Sequence, residues 1–196
     1  SRICHRPSRN LDPFMMEEEG CIDTFVRATQ GADIAVIEGV MGLYDGVDGT
    51  DFASTAHVAR ILNAPVILVV DVKGMSRSVH ALIDGYRQYN PALIFSGVIF
   101  NRIGSFRHRS MIESSLSVPA FGFIPRRDDL KVESRHLGLK MAHESANFGE
   151  FGKIIEETCK IVLNNWKEAG LNVPTAIKRG IYTVKDNLVI KIIGNL

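Results

Sequence analysis

The stretch ADIAVIEGVMGLYDGVDGTD, Ala32 to Asp51, decides the fold class. Its first part, ADIAVIE (Ala32 to Glu38), is a short and almost unbroken apolar run. Such a run suits a strand buried on both faces, as in a parallel sheet covered by helices. Glu38 ends the run, and Gly39, Gly42, Gly46 and Gly49 follow it. The strand therefore gives way to a loop whose backbone can approach a bulky neighbour closely.

Outward from this stretch, apolar runs alternate with helical spacing. Asp51 to Leu62 reads as a helix, with Ala53, Ala56, Val58, Ala59 and Leu62 on one stripe. Pro65 opens a second strand, VILVVD from Val66 to Asp71, and Ser76 to Tyr89 is again helical. A third strand is expected over Leu93 to Phe100, a helix over Arg107 to Ser115, and a shorter strand over Ala120 to Phe123. This alternation predicts an α/β fold, its parallel strands joined by crossover helices. Ile124 to Gly149 is mixed and loop-rich. Glu150 to Ala169 is an amphipathic helix with Phe151, Ile154, Ile155, Cys159, Val162, Leu163 and Trp166 on one face, stopped by Gly170. The last segment, Leu171 to Leu196, carries the alternating NLVIKII and reads as the start of another module.

Composition narrows the classes. With 196 residues, 45% hydrophobic and 23% charged, the chain is an ordinary globular one, large enough for one domain and a tail. A net charge of +1 offers no case for nucleic acid or an anionic membrane surface. Arg107-His108-Arg109 and Arg126-Arg127 are local basic clusters, either a solvated face or an anion site. The three cysteines, Cys4, Cys21 and Cys159, are far apart, which points to the cytoplasm rather than to a disulfide or metal framework. No apolar run approaches the roughly 20 residues of a membrane span. The chain has no initiating Met, so it is expected to begin inside a longer protein.

In an open parallel sheet the ligand sits beyond the carboxyl ends of the strands. That rule selects Glu38 to Gly49, Asp71 to Ser76, Asn101 to Ser105 and Ile124 to Arg127. An acid at the end of a buried strand is what a nucleotide-hydrolysing fold uses to hold Mg²⁺, and Glu38 stands there. Asp45 can face the same cleft from its loop. The alternative is a Gly-rich turn with solvated acids. Cys4 and Cys21 lack a partner base, and His5, His57, His80 and His143 read as ordinary residues.

Five ordered strings carry a resemblance. They are RPSRNLDPFMM (Arg6 to Met16), EGVMGLYDG with Ser54-Thr55-Ala56 opening a helix, APVILVVD, IFNR (Ile99 to Arg102) and ESRHLGLKMAHE (Glu133 to Glu144). Together they resemble cobyrinate a,c-diamide synthases, from the start of the chain to about Ala169. The resemblance implies a dethiobiotin synthetase-like fold among the P-loop nucleotide hydrolases. It also implies an ATP-dependent amidation, in which a carboxylate of a corrinoid precursor is phosphorylated and ammonia displaces the phosphate. The ammonia would come from glutamine, through a glutaminase domain outside this chain.

By the same resemblance, Glu38 binds Mg²⁺ and Asp45 lines the place where the carboxylate is activated. Asn101 presents its amide to the adenine edge, and Pro125 packs near the base. Ser54 and Thr55 begin a helix whose hydroxyls and N–H groups favour an anion. Arg9, Asn10 and Asp12 reach the polycarboxylate substrate, as do Arg135 and His136, the arginines by forked pairing. Arg102 is assigned a structural place.

The sequence also departs from the family pattern. No GxxxxGK[ST] occurs; Gly149 to Ile154 has the wrong spacing and no Ser or Thr after Lys153. The expectation is an amidoligase core lacking its first strand and phosphate loop over residues 1–170, with 171–196 a tail or linker toward a glutaminase domain. Such a piece would be inactive alone, and its exposed sheet edge favours self-association, a homodimer being the simplest form. Alternatives within the chemistry are the nickel-sirohydrochlorin a,c-diamide synthase of methanogens, cobyric acid synthase and dethiobiotin synthetase; RHLGL and GLYDG argue against the last two. A non-catalytic module that binds a tetrapyrrole or a partner is the alternative from another class.

Overall fold

A computed structural model describes residues 7–32, 34–127 and 188–193. The expected helix over Glu150 to Ala169, together with Arg135, His136 and Cys159, lies outside the described residues.

Asp12 and Pro13 start α1, Pro13–Thr29. The Asp12 carboxylate accepts the Phe14 N–H at 2.9 Å, and Pro13 takes a position where no intrahelical N–H is needed. Cys21, Phe25 and Thr29, at four-residue spacing, form the buried stripe. Asp-Pro followed by this spacing is a legible start signal, but the acidic run at Glu17 to Glu19 between the apolar positions obscures it.

The strands are β1 (Ile34–Gly39), β2 (Val66–Asp71), β3 (Phe95–Ile103), β4 (Ala120–Pro125) and β5 (Leu188–Ile193). They form one sheet in the order β1-β5-β2-β3-β4, and every pairing is parallel. The predicted α/β class with a parallel sheet is what the chain forms. Residues 188–193, read from sequence as part of a tail, lie between β1 and β2, with Glu38 opposite Ile192 and Val66 opposite Lys191. Pairing partners so distant in sequence leave no local trace, which is why NLVIKII reads as a separate module.

The crossovers are α2 (Thr55–Ile61), α3 (Ser78–Tyr89) and α4 (Phe106–Glu113). Several boundaries differ from expectation, three of them for reasons visible in the structure. Residues 51–54 form turns rather than the first part of a helix, because Ala53 has φ +60° and Ser54 is the N-cap of α2. The third strand starts at Phe95, since Asn90 caps a turn by accepting the Ala92 N–H. It runs on to Ile103 because β4 continues to pair with it.

The main core lies where α3 and α4 cover β2, β3 and β4, with Leu68, Val70, Val79, Ile83, Val98, Phe100 and Ile112 nearly sealed from solvent. Phe100 and Phe123 stack at 5.0 Å between ring centres. On the opposite face Ile67, Ile99 and Phe121 form a smaller cluster. Gly97 lets β3 and β4 meet there, because a Cβ would run into the Pro119 carbonyl and the Phe121 ring. A third cluster joins Phe25 of α1 to Ala64, Ile37 and Leu62.

Candidate functional site

Because all strands are parallel, their carboxyl ends share one edge. Glu38, Asp71, Asn101 and Pro125 stand along it, from β1, β2, β3 and β4 respectively. Asp71 and Asn101 are register partners, and Ile103 pairs with Pro125. With about 4.8 Å between neighbouring strands, the three steps from β1 to β3 separate Glu38 from Asn101 by about 14 Å. An extended nucleotide spans a gap of that order. Glu38 is solvent-exposed, and the next residues, Val40 and Met41, are exposed apolar side chains at 92% and 61%.

The loop after β1 is held from inside the protein. Leu43 is fully buried against Ala56, Ala59 and Val66, and its carbonyl accepts the Ala56 N–H at 2.8 Å. The Tyr44 hydroxyl donates to the Tyr86 carbonyl at 2.5 Å, and its ring lies between Tyr86 and Tyr89. Burial pushes the Tyr44 hydroxyl above the usual phenol range. With its neighbours pinned, Asp45 closes a turn by donating its N–H to Gly42 (3.2 Å) and folds its carboxylate back over Gly42. A Cβ at position 42 would overlap that carboxylate, so the glycine makes room for the acid. At Gly46 a Cβ would strike the Phe52 and Thr50 carbonyls instead. These two glycines thus serve different neighbours.

The helix start at Ser54 and Thr55 is less open than the resemblance implies. Both residues are buried, and the Ser54 hydroxyl accepts the His57 N–H at 3.1 Å. Since the Ala56 N–H also has its partner in Leu43, the structure gives Ser54 a capping role and leaves those two amides engaged within the protein. His57, which sequence alone left as ordinary, is a buried connector. Its Nδ1 accepts the Ala53 N–H (3.0 Å), so Nε2 carries the proton and donates to Glu18 on α1 (3.1 Å).

At the amino end of α1, Arg9 is exposed and Asp12 is the helix cap. Phe14, beside them in sequence, meets Phe52 edge-on at 6.5 Å. This brings the start of α1 against the far end of the Gly-rich loop, although nothing in the spacing of Arg9 and Asp12 foretells it.

Between β2 and β3 sits a pair that sequence reasoning passed over. Arg102 Nε donates to Asp71 Oδ1 at 2.7 Å, and Nη2 contacts Oδ2, a two-point fork. The strand-end acid of VILVVD and the Arg of IFNR are each visible in sequence, but their register is not.

Among the described residues no three His, Cys, Asp or Glu side chains converge on a metal site. A single exposed carboxylate such as Glu38 fits a magnesium ion held mainly by phosphate oxygens and water, the usual way Mg²⁺ binds with a nucleotide. No helix among the described residues is long and apolar enough to cross a membrane.

A family described as an AAA domain matches residues 9–134. A cobyrinate a,c-diamide synthase of Caldanaerobacter subterraneus subsp. tengcongensis is 45% identical over 71% of this chain and 32% of its own length. One from Methanosarcina acetivorans is 43% identical over 74% of this chain and 31% of its own. One from Picrophilus torridus is 40% identical over 92% of this chain and 43% of its own. The chain thus spans between about a third and somewhat under half of these relatives' lengths. No solved structure matches. With its parallel α/β sheet, the acid at the end of β1 and a match over most of its length, the chain belongs to the AAA domain family, a P-loop NTPase-like core, and is similar there to cobyrinate a,c-diamide synthases.

Proposed function

We propose that this chain is part of an ATP-dependent amidoligase that converts the a and c side-chain carboxylates of cobyrinate to amides, with glutamine as the source of ammonia. The observation that carries this is the line of Glu38, Asn101 and Pro125 along one carboxyl edge; Asp45, in the loop after β1, is held by Gly42 and Tyr44. The relatives' names support the choice of cobyrinate over nickel sirohydrochlorin.

A carboxylate is a poor electrophile, and ATP supplies the phosphoryl group that turns one oxygen into a leaving group. What the protein then contributes is positioning and charge stabilisation. Glu38 holds Mg²⁺ at the phosphate end. Asn101 offers an amide to the base, with Pro125 one strand away. Asp45 stands beside the acceptor carboxylate, where it orients the incoming ammonia and takes up its proton. Arg9 and the exposed Val40 and Met41 face an amphipathic substrate with acidic arms and an apolar ring. Asp12 is assigned to the same substrate, as are Arg135 and His136, which lie outside the described residues and rest on the resemblance alone.

The test is amidation by the full-length parent protein, wild type against Glu38→Gln, on cobyrinic acid and on nickel sirohydrochlorin. Diamide formed by wild type with ATP and glutamine, and lost in the variant, supports the reading and the preferred ring names the substrate. A folded wild type that makes no diamide from either ring overturns it, and a tetrapyrrole bound without turnover would mark a binding module instead.

A further inference from the structure

The β3–β4 ladder contains an irregularity at Asn101. Phe100 pairs with Phe123 and Ile103 with Pro125, so β3 advances three residues (103 − 100) while β4 advances two (125 − 123). The extra residue is a β-bulge at Asn101 and Arg102, and Arg102 has φ +63°. Bulges re-aim a side chain and recur beside active sites. A non-glycine residue in the left-handed region persists only where its surroundings over-determine it.

Here the surroundings are specific. Asp71 takes the Arg102 guanidinium in its two-point fork and also accepts the Lys73 N–H at 3.0 Å. The Arg102 N–H donates to Asn101 Oδ1 at 2.9 Å, while the Val72 N–H donates to the Asn101 carbonyl at 3.0 Å. Beyond the bulge, the Arg126 N–H closes on the Ile103 carbonyl at 2.8 Å. With Oδ1 turned toward its own backbone, the Asn101 amide has a defined orientation, and among the described residues its NH₂ group is the donor left to face a ligand.

We infer that Asp71 and Arg102 are positioning residues for nucleotide selection: their fork fixes the bulge that aims the Asn101 amide. The inference rests on the proposed ATP site. Neither residue touches the nucleotide; each acts through Asn101. Loss of the fork frees the bulge, so the base is held less well while the phosphate end, at Glu38, is unaffected.

The experiment measures amidation by the full-length parent with ATP and with GTP, at saturating glutamine and corrinoid, for Asp71→Asn, Arg102→Lys, Arg102→Ala and Asp71→Asn/Arg102→Ala. The expected result is a KM for ATP raised about tenfold, kcat within about threefold of wild type and an ATP-over-GTP preference reduced about tenfold, the double variant no worse than either single because both act as one unit. Arg102→Lys keeps the charge but not the fork and retains part of the preference. Arg87→Ala, which removes an exposed arginine paired with Asp84 on α3, is the control and leaves all three values unchanged. A purely structural role would lower the active fraction, and hence kcat, without moving KM or the ratio. Folded variants with wild-type KM and preference overturn the inference. A wild-type parent that shows no ATP-dependent turnover overturns the proposed function itself, a distinct outcome.

Discussion

The Tyr44 hydroxyl reaches across to the Tyr86 carbonyl, tying the Gly-rich loop after β1 to the last turn of α3. The two rings stack at 5.9 Å with only 14° between their planes, so the contact is both polar and apolar. Through it, the loop that presents Asp45 is fixed to the part of the fold with the deepest core. Tyr44→Phe keeps the stacking and removes the hydrogen bond, at a cost of about 1 kcal/mol in urea unfolding. On the proposed function, amidation by the full-length parent should fall with it, since Asp45 is the next residue.

Gly42→Ala and Gly97→Ala separate two kinds of crowding. At Gly42 the added methyl meets the end of the Asp45 side chain, which can rotate away. Stability should stay within about 1 kcal/mol of wild type, while activity drops nearly as far as in Asp45→Asn. At Gly97 the methyl meets a backbone carbonyl and a packed ring, neither free to move, and the loss should be about 1–3 kcal/mol by thermal or chemical unfolding.

Phe100→Ala opens a cavity between β3, β4 and α3, where the ring is fully buried against Phe123. The expected loss is about 3–5 kcal/mol, enough to unfold much of the population at growth temperature. Ser54→Ala removes only the cap of α2 and should cost about 1 kcal/mol. Comparing the two by circular dichroism melts checks that the main core, and not the short helix, dominates stability.

Alkaline pH should weaken the fold. Burial, with Asp12 and Glu18 nearby, pushes the Cys21 thiol above its ordinary 9.0, and burial raises the hydroxyls of Tyr44 and Tyr86 above 10.0. Each group keeps its proton more tightly when folded than when unfolded. The stability they contribute is therefore complete below pH 9 and declines as pH rises from there through the folded values. Unfolding free energy measured from pH 8 to 11 should fall, and Tyr44→Phe should flatten part of the slope. A flat profile in the wild type would refute this account.

The sequence by itself determined the parallel α/β class, because β2 and the other buried runs are continuous stretches of β-branched and aromatic residues. It also determined which segments meet at the carboxyl edge of the sheet, since chain direction in a parallel sheet puts Glu38, Asn101 and Pro125 at one end. Helix α1 was in principle legible from Asp12-Pro13 and the spacing of Cys21, Phe25 and Thr29. Only the tertiary structure decided the rest. The place of β5 between β1 and β2, the fork from Asp71 to Arg102 and the contact of His57 with Glu18 join residues 31 to more than 150 positions apart. Periodicity reports which face of an element is apolar; it carries no record of which distant element will cover that face or in what register.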